Sequence, residues 1–326
     1  MKASVLEAPQ RSVVQEVPDP APGEGEVLVQ VKACGICASE FSTWAGTNRE
    51  AVYPQILGHE ASGVVMETGD RVTGVEVGQH VAMLPPGSGQ RGDNLNGGLA
   101  ERTIVPHTHV TTIPPGIEFS EAIVEPVGCL ISGVERTRLR LADRVAVIGC
   151  GFMGLTLIQL LRLRGPKEIV AVDMRQEALD NANRFGADEA WLVEDINARG
   201  MLHHGGRWDT GFDAVYETAG TQSSLDLATT MTRVHGQLSI VGFHSDGFRT
   251  VDVGQWNLKA LTVINAHEKR NGYLLECMRA GLDLIATGQL DMSSLITHRF
   301  RLDQVDRAFA AMRDKPEGFI KGVIVL

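Results

Sequence analysis

The chain has 326 residues, 43% of them hydrophobic and 21% charged, and a formal charge of −10. Such a length and balance describe a soluble globular protein of one large or two ordinary domains, with a core that needs no disulfide staples. The acidic surplus disfavours a nucleic-acid partner, because binding phosphates needs Lys and Arg gathered on one face.

The first twenty residues carry no apolar signal-type run, and no stretch reaches membrane-spanning length, so neither secretion nor a membrane partner is expected. Residues 1 to about 115 hold short β-branched runs, "EVLVQVKACG", "ASGVVMETGDRV" and "QHVAML", punctuated by Gly, Pro and Asp. They read as strands of a small, mostly β unit. "LPPGSGQRGDNLNGG", 84–98, reads as a loop. At about Ser120 the pattern changes to helical periodicity, with Ser120 as a possible N-cap. Strand and helix then alternate through "RVAVIG", "FMGLTLIQLLRLRG", "EIVAVD", "RQEALDNANRFG" and "EAWLV", and on to "ALTVINA". Alternation of that kind predicts a parallel sheet covered by helices on both faces. The final strand, helix and strand are expected to rejoin the first unit, since they need partners and the parallel sheet is already complete. The predicted domains are 1–119 with 291–326, and 120–290.

"VAVIGCGFMG" sets Gly149, Gly151 and Gly154 in the Gly-x-Gly-x-x-Gly pattern, directly after a strand and opening a helix that begins Phe152, Met153. In that context the first glycine permits the tight turn, the second admits a pyrophosphate, and the third lets helix and strand pack closely. Asp173 ends the next strand, 19 positions beyond Gly154. A carboxylate there accepts the adenine ribose hydroxyls and repels a 2′-phosphate, which favours NAD over NADP. Arg175 either flanks the adenine or partly restores NADP binding. "ETAG", with Thr218, and "VGF", with Val241, follow later strands and are expected to border the nicotinamide. Asn265, His267 and Glu268 in "VINAHEK" add polar groups at the same end of the sheet, suited to the cofactor or to a hydroxyl-rich substrate, or simply to a solvated loop.

"VKACGICASEF" holds Cys34 and Cys37, a pair that is open to three readings: a disulfide switch, half of a structural zinc site, or a coincidence in which one cysteine matters. All five cysteines (34, 37, 129, 150 and 277) are dispersed and odd in number, which speaks against a disulfide framework and for a reducing cytoplasm. "ILGHEASG" adds His59 and Glu60, and "AIVEPVG" adds Glu125. A catalytic zinc takes about three protein ligands from thiolate, imidazole and carboxylate and keeps one position open.

Taken in order, "GEVLVQVKACGICASE", "LGHEASGVV", "VEPVG" and "VAVIGCGFMG" resemble the zinc-dependent medium-chain alcohol and polyol dehydrogenases over nearly the whole chain, most closely the sorbitol, threonine and sugar-alcohol branch. The resemblance implies an α/β chain of two domains: a GroES-like, mostly β catalytic domain and a Rossmann doubly wound parallel-sheet domain inserted in it. It places the metal on Cys37, His59 and one or both of Glu60 and Glu125, the choice between the two acids left open, with Cys34 off the site. Ser39 falls on the family's proton-passing hydroxyl, and Ser42 replaces a histidine often found in that relay. Glu40 is a candidate acceptor for the His59 ring. Trp44 either walls the substrate pocket or packs in the core. The four-cysteine lobe of many relatives has no counterpart in 83–98, which predicts one zinc per chain, no structural zinc, and a shortened, mobile loop. A homo-oligomer, dimer or tetramer, is implied.

The expected activity is oxidation of a secondary alcohol (on a polyol, cyclitol or sugar derivative) to a ketone with NAD⁺, or the reverse. The alternatives are a zinc-free NADPH quinone or enone reductase on the same fold, and a non-catalytic dinucleotide-binding protein.

Overall fold

The computed structural model describes residues 1–84, 95–196, 210–244 and 247–326. In chain order the elements begin with β1 (Lys2–Ala8), β2 (Arg11–Glu16), β3 (Glu26–Gly35), the short helix α1 (Phe41–Ala45) and β4 (Gln55–Ile56). Next come β5 (Glu60–Thr68), β6 (His80–Met83), β7 (Arg102–Pro106), β8 (Val110–Thr112) and α2 (Glu125–Arg136). Alternation starts with β9 (Arg144–Ile148), α3 (Phe152–Arg164), β10 (Glu168–Asp173), α4 (Gln176–Arg184) and β11 (Glu189–Leu192). It continues through β12 (Phe212–Glu217), α5 (Gln222–Met231), β13 (Thr232–Ile240), α6 (Val253–Lys259) and β14 (Thr262–Asn265). Helix α7 (Asn271–Ala286), β15 (Ile296–Arg301), α8 (Val305–Asp314) and β16 (Lys321–Val325) follow. The chain divides into two compact units, Met1–Gly128 with Lys269–Leu326, and Cys129–Glu268.

The first unit is built on a seven-stranded sheet ordered β15-β16-β3-β5-β6-β8, with β7 also on β3, and on a three-stranded sheet β2-β1-β4. The last strand lies in this sheet: β16 runs antiparallel to β3, Ile324 opposite Cys34. On its other side β3 pairs with β5, and the register sets Gly35 opposite Glu60 and Cys34 opposite Ala61. Val5, Leu6, Val27, Val29, Val31, Phe309 and Ile324 are buried in one cluster. Each fully buried aliphatic side chain contributes roughly 1.5–3 kcal/mol over exposure. Trp44 belongs to that core. It is 2% exposed, stacks on Phe309 at 5.3 Å, and donates its indole N–H to Asp306 at 2.8 Å, so of its two readings packing holds.

Ser120 does not cap a helix. Helix α2 starts at Glu125, five residues later, with Pro126 in the first turn. Proline is tolerated there because its missing N–H is one the first turn leaves unpaired in any case. Ser120 instead accepts a hydrogen bond from Arg299 at 3.3 Å.

The second unit is a six-stranded sheet ordered β11-β10-β9-β12-β13-β14 in which every pairing is parallel. β9 is buried from Val145 to Ile148, as a strand covered on both faces requires. Helix α3 is buried from Phe152 to Leu161 apart from Met153, and Gly165 ends it in the left-handed conformation at φ +69°. The buried Lys259 closes the carboxyl end of α5 by donating to the Thr229, Thr230 and Thr232 carbonyls, each at 2.8 Å. Burial pushes its pKa down to about 8. No helix among the described residues is long and apolar enough to cross a membrane.

Candidate functional site

Cys37 lies two residues beyond the end of β3 and His59 immediately before β5, and the β3–β5 register carries both to one place. Cys37, His59 and Glu60 each offer a ligand atom, and these atoms lie within 4.8 Å of one another. Ser39 Oγ stands 3.2 Å from Cys37 Sγ and 3.4 Å from His59 Nε2. Glu40 Oε1 lies 3.0 Å from His59 Nδ1 and also accepts the Gly58 N–H at 2.7 Å. A carboxylate on Nδ1 holds a proton there, so the Nε2 side is the one that faces the thiol and gives up its proton when a metal binds. Burial disfavours a charged His59, but Glu40 and Cys37 outweigh it and raise its pKa.

Glu60 is 1% exposed. Its Oε2 lies 2.6 Å from Lys321 Nζ, which also donates to the Ile36 carbonyl at 2.9 Å. Burial opposes a charged Lys321, and the carboxylate of Glu60, with Cys37 and Glu125 behind it, more than restores it, so the ammonium's pKa is raised. Gly35 makes room for this pair, since a Cβ there would sit 2.0 Å from Glu60 Oε2. Glu60 Oε1 and Glu40 Oε2 are buried with no protein donor. An orphaned buried carboxylate oxygen beside a thiol and an imidazole suits a divalent ion, and the donor set is the one zinc prefers.

Glu125 is half-buried in the first turn of α2 and is not among the three mutually close donors; its charge reaches Lys321. Cys34 is wholly buried, and burial drives its thiol pKa up, so it stays an inert thiol. All five cysteines are free. Of the loop 83–98 that bears on the zinc count, residues 85–94 lie outside the described residues. Lys321 is the residue that sequence reasoning missed. The one signal for it was a lysine opening an otherwise apolar strand, "KGVIVL".

In the second unit the glycine turn joins β9 to α3. Gly149 has φ +96°, and a Cβ on Gly154 would lie 1.9 Å from the Gly149 carbonyl, so neither position accepts a side chain. A Cβ on Gly151 would meet nothing within 4 Å. That face is therefore open, at the N-terminus of a 13-residue helix whose first residues are Phe152 and Met153. Asp173, at the end of β10, accepts the Cys150 N–H at 2.7 Å and the Arg175 N–H at 2.9 Å; the Arg175 side chain lies 3.7 Å from the same carboxylate. A carboxylate has about four acceptor sites, so two remain for further donors. Thr218 donates to the Gly149 carbonyl at 2.5 Å and so braces the turn. Val241 N–H donates to the Glu217 carbonyl at 2.8 Å. Asn265 is exposed at the end of β14, opposite Ile240. His267 lies against Phe243 at 6.1 Å, and Glu268 is buried and accepts from Ser132 at 3.0 Å.

Comparison with known proteins gives a consistent result. Residues 23–115 match the alcohol dehydrogenase GroES-like domain, and residues 153–286 match the zinc-binding dehydrogenase domain. An alcohol dehydrogenase from Cupriavidus necator is 28% identical over 98% of this chain and 97% of its own. Sorbitol dehydrogenase 1 of Saccharomyces cerevisiae is 26% identical over 87% of this chain and 86% of its own. Among solved structures, alcohol dehydrogenase RspB from Escherichia coli CFT073, complexed with NADH, superposes with a TM-score of 0.85 at 25% identity, covering 100% of this chain and 99% of that one.

Proposed function

Since the chain belongs to the zinc-type medium-chain alcohol dehydrogenase family, we propose that it is a zinc-dependent, NAD-using enzyme that interconverts a secondary alcohol, of polyol, cyclitol or sugar type, and its ketone. The observation that carries this reading is the convergence of Cys37, His59 and Glu60 donors within 4.8 Å. Cys37, His59 and a glutamate, Glu60 or Glu125, would hold the ion. Bound there, zinc supplies Lewis acidity that makes the substrate hydroxyl easier to deprotonate. The nicotinamide supplies the hydride acceptor.

The chain's own residues do the rest. Ser39, within reach of both Cys37 and His59, takes the hydroxyl proton and passes it outward. Glu40 holds the His59 ring in one tautomer. Lys321 offsets the charge of Glu60 in a site where two acids and a thiolate would otherwise repel one another. The Gly149–Gly154 turn and the N-terminus of α3 hold the pyrophosphate, and Asp173 the adenine ribose, which supports NAD over NADP. The sorbitol dehydrogenase relative supports the substrate class, and the NADH-bound RspB structure supports a nicotinamide dinucleotide as the cofactor, while the preference for NAD rests on Asp173.

The test is metal analysis of the purified protein, followed by NAD⁺ and NADP⁺ reduction across a panel of polyols and cyclitols. About one zinc per chain and turnover that disappears with a chelator and prefers NAD⁺ is the expected result. Turnover that survives removal of the metal points instead to a zinc-free reductase. Stoichiometric zinc without turnover on any alcohol points to a non-catalytic protein.

A further inference from the structure

Glu217 ends β12 with no exposure at all. A buried carboxylate is costly unless hydrogen-bonded, and this one is bonded on both oxygens. Oε1 accepts the Gly220 N–H at 2.6 Å and the Ser224 hydroxyl at 2.7 Å, and Oε2 lies 3.0 Å from His244 Nε2. On the far side of the ring, His244 Nδ1 lies 2.9 Å from Arg249 Nε. A guanidinium only donates, so Nδ1 accepts and the ring proton sits on Nε2, donated to Glu217. The imidazole is thus a neutral bridge between a buried anion and a cation. Arg249 closes the circuit with a 2.8 Å bond to the Gly220 carbonyl.

The backbone follows the same pattern. The Glu217 carbonyl accepts the Val241 and Gly242 N–H groups, each at 2.8 Å. A Cβ on Gly242 would lie 2.4 Å from the Gly220 nitrogen. The turn after β13 is therefore pressed onto the turn after β12, and one buried carboxylate ties both.

The position of these turns gives the arrangement a purpose. In the strand order β9 lies between β10 and β12, with β13 beyond. Under the dinucleotide reading above, on which this inference rests, adenosine goes to Asp173 on β10 and the pyrophosphate to the glycine turn after β9. The nicotinamide half then extends the other way, over the ends of β12 and β13. We propose that Glu217, His244 and Arg249 form a latch that fixes backbone 218–220 and 241–244 as the seat of the nicotinamide ring, with His244 as a positioning residue.

The experiment titrates wild type, His244→Gln, His244→Met and Arg249→Leu with NADH and with ADP-ribose, which lacks the nicotinamide. Glutamine offers one donor and one acceptor, as the neutral imidazole does; methionine fills space with neither. The expected result is an NADH Kd raised about ten-fold in His244→Met, equivalent to about 1.4 kcal/mol. ADP-ribose should stay within about two-fold, and His244→Gln should track wild type. Arg249→Leu, which leaves the Glu217–His244 contact in place, should shift NADH in the same direction. Unchanged NADH affinity in His244→Met and Arg249→Leu, or equal weakening of both ligands, overturns the latch alone. A wild-type protein that binds neither ligand overturns the dinucleotide reading and the latch with it.

Discussion

Glu60 and Glu217 are both carboxylates with almost no exposure at the ends of strands, one in each unit, yet they are stabilised in opposite ways. Glu60 opens β5 and faces a cation, Lys321, with one oxygen left without a donor. Glu217 closes β12 and is surrounded by three neutral donors, with both oxygens hydrogen-bonded. A buried acid hydrogen-bonded by the protein on both oxygens is architecture, because its charge is already met by fixed donors. A buried acid with an orphaned oxygen, beside a thiol and an imidazole, has coordination left to give. The difference distinguishes a group that holds backbone in place from a group that takes part in a site.

Three substitutions probe that contrast. The largest effect is expected from Cys37→Ala, which removes the thiolate from the donor set. Zinc content should fall to background and turnover by about 10³-fold or more, since metal catalysis is worth several kcal/mol. NADH affinity, which the proposed function assigns to the second unit, should stay within about two-fold; full turnover in this variant removes Cys37 from the site. Next comes Lys321→Met in chelator-treated protein. Breaking a buried ion pair from one side costs about 3–5 kcal/mol, read as a lowered denaturation midpoint. A loss below about 1 kcal/mol would mean that Glu60 does not depend on the ammonium. Glu217→Gln should cost less, about 1–3 kcal/mol, because the amide turns an N–H toward His244 and spoils one bond among three. If this variant proves the more damaging of the two glutamate-centred changes, the contrast drawn above is wrong.

The alternating half of the fold was legible because each element announces itself locally. β9 is a run of buried residues, α3 opens on the glycine pattern and stops at Gly165, and Asp173 ends the next strand. The β half was legible as strands but not as pairings. The Ser120 expectation failed because a side chain able to cap a helix says nothing of whether a helix begins there; Pro126, already placed for a first turn, marks the start better. Lys321 was passed over because lysine at a strand's first position is usually solvated, and only the register of β16 on β3 shows it buried against Glu60. His244 stands 27 residues from Glu217, and no periodicity links them.

By itself the sequence determined the order of elements, the glycine turn with its acid, and the donor types carried by Cys37, His59 and Glu60, since these depend on short-range sterics, burial periodicity and side-chain chemistry. Tertiary structure decided which atoms meet. The pairing of β3 with β5 and β16 puts a cation beside one buried acid, and the adjacency of β12 and β13 puts a neutral ring beside the other. Strand pairing brings together residues hundreds of positions apart, and the energy that selects one register is spread over whole sheets rather than written in any single segment.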